Sequence, residues 1–350
     1  MSADEVYAEP RFSGQVLGFV GWTANLAVLG STPATAVNDP LPPPEGPPIL
    51  FEARAMDLIA QLDFMDELHL WGGRMLTPSD RSNFSGPWFM SPWDYPGVYS
   101  VPGQGFAYIG PRGTEEIGRE VGVVAWGDIN KGKFKYYAGV MDLDNLPTNT
   151  PLYTGRLAYA IIGDEPGFYG SSTYYGAKDM LVIGAAAQFQ QRFVFAGASD
   201  DLFGFNADLL AEFNVGDAGT ITAEGAYYMM DSGDSAGVMP YDTAFFGVLS
   251  YLTPAIGPGK IQPLVRYQRS MGGVNVANPT TGLLTDEAPD KWIAEAQVSY
   301  VMKDYFAKLS LGFQHTEFEA PDLPAGTPAG TPEPSPIYGN AIQFGFQIQQ

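Results

Sequence analysis

Phe203-Gly204-Phe205-Asn206-Ala207-Asp208-Leu209-Leu210-Ala211-Glu212-Phe213 alternates along its whole length. Phe203, Phe205, Ala207, Leu209, Ala211 and Phe213 are apolar, while the residues between them are mainly small or polar. A strand sends successive side chains to opposite faces, so this stretch has one apolar face and one polar face. The pattern returns in Tyr305 to Thr316, where Tyr305, Ala307, Leu309, Leu311 and Phe313 oppose Lys308, Ser310, Gln314 and Thr316. It returns again in Trp292 to Tyr300, against Glu295, Gln297 and Ser299, and in Ile261 to Gln268, against Gln262, Arg266 and Gln268. About fourteen such segments are legible, at roughly 11–28, 49–64, 67–76, 119–128, 133–142, 152–163, 180–191, 202–214, 219–231, 242–253, 260–271, 291–302, 305–317 and 340–350. In 242–253 both faces are apolar, and the assignment is ambiguous.

Composition says where such strands live. Charged residues make up 16% of the 350, against about 25% in a soluble domain. Mean hydropathy is nevertheless close to neutral, at −0.06. No apolar run approaches the roughly 18 residues of a membrane-spanning helix. A closed barrel satisfies both facts, because its apolar and polar positions alternate and cancel. Most segments also have the length of about 9–11 residues that a tilted strand needs to cross a bilayer. Cysteine is absent, which excludes a disulfide scaffold, a cysteine-ligated zinc site and a cysteine nucleophile. The net charge of −21 argues against nucleic acid as a partner. Met1-Ser2-Ala3-Asp4-Glu5 lacks the basic and apolar regions of a signal peptide, as expected of a mature form whose signal was replaced by a starting Met. A cytoplasmic protein is the plainer alternative, and the strand pattern opposes it.

The connections add an independent signal, since one rim of a barrel carries loops and the other turns. The expected organisation is a flexible stretch at 1–10 followed by one barrel domain over 11–350, with long loops at 29–48, 77–118, 272–290 and 318–339. Tight turns follow at Met65-Asp66, Asp128 to Gly132 and Lys303-Asp304. The connection 163–179 is long where a turn belongs. It is either a structured turn or hides two more strands. A soluble β-sandwich or propeller would also alternate. The placement of Trp22, Trp126, Tyr159, Tyr227, Tyr251, Tyr267, Trp292 and Tyr305 near segment ends instead suggests aromatic girdles on an outer face.

The loop 77–118 opens with Thr77-Pro78-Ser79-Asp80-Arg81-Ser82-Asn83, in which fixed proline φ angles and Asx-type turns impose order. An ordered loop here either folds into the lumen or packs on the rim. Together with Gly73-Arg74-Met75-Leu76 before it, Gly86-Pro87-Trp88-Phe89 and Pro92-Trp93-Asp94-Tyr95-Pro96-Gly97 after it, and the block 152–179, this stretch resembles the phosphate-selective porins of the O and P type. The resemblance implies sixteen strands, a homotrimer in the bacterial outer membrane and a basic, anion-selecting constriction.

Charge opposes the last of these, with 18 Lys and Arg against 39 Asp and Glu. Inward or constriction candidates are Arg74, Asp80, Arg81, Lys133, Lys135, Arg156, Arg266 and Lys308, opposed by Asp57, Asp208, Glu212, Glu224 and Glu295. A mixed lining makes a weakly selective pore, whereas a ring of one sign selects ions. Any single charge can equally be half of a salt bridge in the wall. The two histidines, His69 and His315, sit in strands and carry no convincing catalytic spacing. The expectation is an all-β transmembrane barrel of 14–16 strands, acting as a passive diffusion pore for small hydrophilic solutes, embedded in lipid, without cofactor or enzyme chemistry. A docking or structural barrel is the alternative, and a barrel hydrolase a weaker one.

Overall fold

The computed structural model describes residues 6–8, 11–31, 50–85, 89–96, 106–107, 110–111, 118–142, 150–195, 198–231, 242–272, 290–319 and 335–348. The strands in chain order are β1 (Val6–Ala8), β2 (Arg11–Leu17), β3 (Val20–Ser31), β4 (Leu50–Met65), β5 (Leu68–Leu76), β6 (Phe106–Ala107), β7 (Gly110–Pro111), β8 (Arg119–Ile129) and β9 (Phe134–Asp142). They continue as β10 (Leu152–Ile162), β11 (Met180–Phe195), β12 (Ala198–Asn214), β13 (Thr220–Asp231), β14 (Thr243–Leu252), β15 (Lys260–Met271), β16 (Lys291–Lys303), β17 (Ala307–Phe318) and β18 (Ile337–Ile348). One short helix, α1 (Arg81–Ser85), follows β5. Apart from the small β6–β7 hairpin, all the strands belong to one antiparallel sheet of sixteen, in which from β3 onward each pairs with the next strand of the sheet. β1 and β2 pair with successive stretches of the same edge of β3, so they form one interrupted crossing. Among the described residues no pairing joins β18 to β1 or β2.

The expected strands appear with two corrections. The segment 11–28 is two strands turning at Gly18-Phe19, because the run Val16 to Val20 hides the turn inside an apolar stretch. Val6–Ala8, within the stretch expected to be flexible, pairs with Val28–Gly30 of β3. The connection 163–179 contains no strand and is a structured turn. The expected loops 29–48, 272–290 and 318–339 fall mostly outside the described residues.

The sheet's polarity is the inverse of a soluble sandwich. Leu157, Leu249, Val265, Val298 and Leu311 point outward and are each more than half exposed. The alternating partners Asn206, Glu212, Gln268 and Ser299 are fully buried inside. An apolar face turned outward over nearly every strand suits lipid and is costly in water. β14 resolves in the same way: Phe245, Leu249 and Tyr251 face out, while Phe246 and Val248 join an apolar cluster inside. Toward the loop rim the outer face carries stacked rings, Phe245–Tyr267–Trp292–His315–Tyr338, with neighbouring centroids 6.1, 6.3, 5.0 and 6.4 Å apart. Trp126 and Tyr305 are exceptions to the expected girdle. Trp126 shares the inward face of β8 with Val124 and Asp128, and Tyr305 meets Phe89 and Tyr175 inside.

Candidate functional site

Two chain segments enter the interior from opposite rims. The first leaves β5 and runs inward through Thr77 to Ser85, all buried, and on through Met90 to Pro96. Its polar backbone needs partners that a barrel wall can supply only through side chains. The Pro78 carbonyl accepts from Thr154 Oγ1 at 2.5 Å and Gln188 Nε2 at 3.1 Å, and the Ser79 carbonyl from Arg156 Nη1 at 2.7 Å. Asp80 Oδ1 accepts from the Asn83 amide at 3.2 Å, starting α1, and Asp80 Oδ2 accepts from Tyr228 at 2.5 Å. Farther along, Lys308 Nζ donates to the Met90 carbonyl at 3.0 Å, Gln297 Nε2 to Ser91 at 3.3 Å, and Arg266 Nη1 to Asp94 at 2.7 Å. Because these partners lie on strands from β10 to β17, the sheet curls around the segment. This part of the loop is inside the lumen.

The second segment is the connection 163–179, on the turn rim. Gly132, with φ +81°, lets it approach. A Cβ there would stand 2.4 Å from the Glu165 carbonyl carbon, and the Gly132 carbonyl accepts from the Glu165 amide at 3.2 Å. Phe168 then packs among Trp71, Trp126, Tyr137 and Phe84, with ring centroids 4.6, 5.4, 5.3 and 5.1 Å away. Beyond it, Glu212 receives Thr173 Oγ1 at 2.6 Å, the amides of Tyr174 and Gly176 at 3.0 and 2.9 Å, and Thr222 Oγ1 at 2.9 Å. Glu224 takes the hydroxyls of Ser172 and Ser82, touching both segments at once.

Where the segments meet, charge is paired. Arg81 and Glu165 form a two-pronged pair at 2.6 and 3.0 Å, and Lys135 Nζ stands 3.3 Å from the same carboxylate. Tyr174 adds a fourth donor at 2.5 Å. Burial alone would raise the Glu165 carboxyl, but Arg81 and Lys135 outweigh it and hold it below the usual carboxylate range. Burial likewise works against the Arg81 charge, and Glu165 and then Asp208 lift its pKa above the ordinary value. Tyr174 is raised, first by burial and then by the Glu165 charge. Beside them Arg156 grips Asp208 at 2.5 and 2.9 Å. The pair spans an intervening strand across Gly184, where a Cβ would come within 2.4 Å of Arg156 Nη2. Arg266 pairs with Glu295, and Arg119 with Asp57 at 2.9 Å.

Eleven of the thirteen inward or constriction candidates therefore face the interior: Asp57, Asp80, Arg81, Lys135, Arg156, Asp208, Glu212, Glu224, Arg266, Glu295 and Lys308. Two do not. Arg74 pairs in register with Leu58 and Val121, both exposed on the outer face, because the alternation from Trp71 and Met75 turns it outward. Lys133 sits half-buried in the turn before β9, at the rim. Glu165, Ser172 and Thr173 were not among the constriction candidates. Their signals were a long connection on the wrong rim and their place in the block 152–179 that carries the family resemblance.

No protein-family model matches the chain, and no curated protein matches it in sequence. Among solved structures it is similar to Salmonella typhi OmpF in complex with daunomycin, with a TM-score of 0.51 at 12% identity, covering 98% of this chain and 91% of that one. Vibrio cholerae OmpT in its trimer form, an outer membrane protein, gives 0.47 at 11% identity over 98% of this chain and 99% of that one. Pseudomonas aeruginosa OccK5 gives 0.39 at 11% over 99% and 94%. Of these three, the OmpF likeness is high enough to bear on the fold, and at that identity it bears on nothing else. The class is the outer-membrane type of antiparallel β-barrel.

Proposed function

We propose that the chain is a passive diffusion pore of the bacterial outer membrane, assembled as a homotrimer and passing small hydrophilic solutes and ions with weak selectivity. The carrying observation is the pairing of the inner charges. Arg81 and Lys135 share Glu165, Arg156 holds Asp208, and Arg266 holds Glu295. Compensated pairs present no ring of one sign, and it is such rings that select ions. This favours a general pore over the phosphate-selective type that the sequence resembles. The inward residues Arg11, Ser13 and Gln15 of β2, with Gly339 and Ala341 of β18, are polar or small, as the wall of a water route requires. The reading assigns no catalysis. His69 bonds Asp63 at 2.7 Å, and His315 bonds Asn340 at 2.8 Å on the outer face, and among the described residues neither bonds a hydroxyl.

Reversal potentials across planar bilayers under a KCl gradient test it. Weak selectivity at high salt should drift toward cations as salt is lowered and the −21 net charge is less screened. Folded protein that never conducts would leave the docking reading. Strong anion selectivity at low salt, lost in Arg156→Ala, would restore the phosphate-selective one.

A further inference from the structure

We infer that Glu165 is the bridge that holds the two infolded segments together, and so sets how far they fill the lumen, and that Glu212 is the residue positioning it, an inference that rests on the pore reading. A loop entering from one rim can be displaced alone. Here a second segment enters from the other rim, and the two are bridged at Arg81–Glu165. The rest of the junction carries no second ion pair among the described residues. Arg81 Nη1 donates to the Ser171 carbonyl at 2.9 Å, the Ser172 amide and Ser171 Oγ to the Phe89 carbonyl at 3.1 and 3.2 Å, and the Gly170 amide to Phe84 at 3.4 Å, while Phe168 packs on Phe84 and Glu224 takes Ser82 and Ser172. Glu165 is the hub, since Arg81, Lys135 and Tyr174 all converge on its two oxygens. Removing it separates the segments and also releases two cations toward the lumen.

Glu212 does a different task. Among the described residues no Lys or Arg stands within 4 Å of it. Its oxygens are taken up by two amides and two hydroxyls, three of the four donors coming from residues 173–176. An ionised carboxylate accepts at both oxygens, but an amide side chain turns one of them into a donor. Glu212→Gln therefore replaces one acceptor oxygen by a donor, so that the Tyr174 amide loses an acceptor or the Thr173 and Thr222 hydroxyls must reverse their bonds, which loosens the segment that carries Glu165 without freeing a cation.

The test uses the full chain, folded in detergent, with two readouts. Single-channel conductance in planar bilayers should rise about twofold or more in both Glu165→Gln and Glu212→Gln, because current follows the narrowest section. Only Glu165→Gln should also shift reversal potentials toward anions. Glu165→Asp, which keeps the charge on a shorter stem, should raise conductance less and leave selectivity as it was. The Arg81→Gln, Glu165→Gln double variant should conduct no more than Glu165→Gln, as coupled residues do. Hydrogen exchange over 163–179 needs no conduction and should rise at residues 173–176 in Glu212→Gln. Faster exchange with unchanged conductance overturns the inference and leaves the pore reading standing. A wild type that exchanges as expected and never conducts overturns the pore reading, and the inference falls with it. Additive effects in the double variant overturn the bridge.

Discussion

The inner face of β10 to β13 and that of β2 are built from the same kinds of residue and live in different surroundings. Arg156, Asn206, Asp208, Glu212 and Glu224 are buried under two infolded segments, each charge answered by an opposite charge or, for the two glutamates, by neutral donors. Arg11, Ser13 and Gln15 occupy equivalent inward positions and stay exposed, Arg11 merely lying 5.4 Å over the ring of Tyr169. Alternation decides which way a residue points. Whether that direction holds water is decided by what the loops bring inside, and this separates structural charges from those able to meet a solute.

The sharpest way to break that contrast is to remove one arginine from each region. Arg156→Ala leaves Asp208 buried without its partner and should cost about 3–5 kcal/mol of unfolding free energy, measured by urea titration in lipid vesicles. Arg11→Ala should fall within about 0.5 kcal/mol of wild type. Equal losses would mean that the two faces do not differ.

Acid sharpens it at the junction. The Glu165 carboxyl is held below its ordinary value, so its contribution is fully present above an unfolded pKa of about 4.3 and is lost as pH falls toward the folded one. Wild-type stability should therefore decline on the acid side of about pH 4, and Glu165→Gln should flatten that decline. An unchanged acid slope would place the titration elsewhere. The smallest effect is expected on the exposed side, where Ser13→Trp should lower single-channel conductance by roughly half without altering stability. Unchanged current would remove β2 from the solute path.

Most strands were legible because apolar groups outside and polar groups inside impose period two on nearly every crossing. The first hairpin was not, since Gly18-Phe19 has neither the Asn nor the Asp of a strong turn and lies within an apolar run. Trp126 was misplaced because an aromatic residue near a strand end fits a girdle as well as an inner cluster. Its parity with Val124 and Asp128 was the better guide. Asp80 and Arg81 stood out through their crowded loop. Glu165 could not, because its value comes from Arg81, which lies 84 positions away in the chain.

Lys308 reaches the Met90 carbonyl across 218 residues. The segment after β5 is made early, yet the groups that hold it arrive with β10, β13, β15, β16 and β17. Contacts of such long separation form slowly, since a long loop must close before they can repay it. The order of assembly follows from this. The wall must be largely in place before its early loop can be seated, so the inner filling docks late, onto a sheet already rolled.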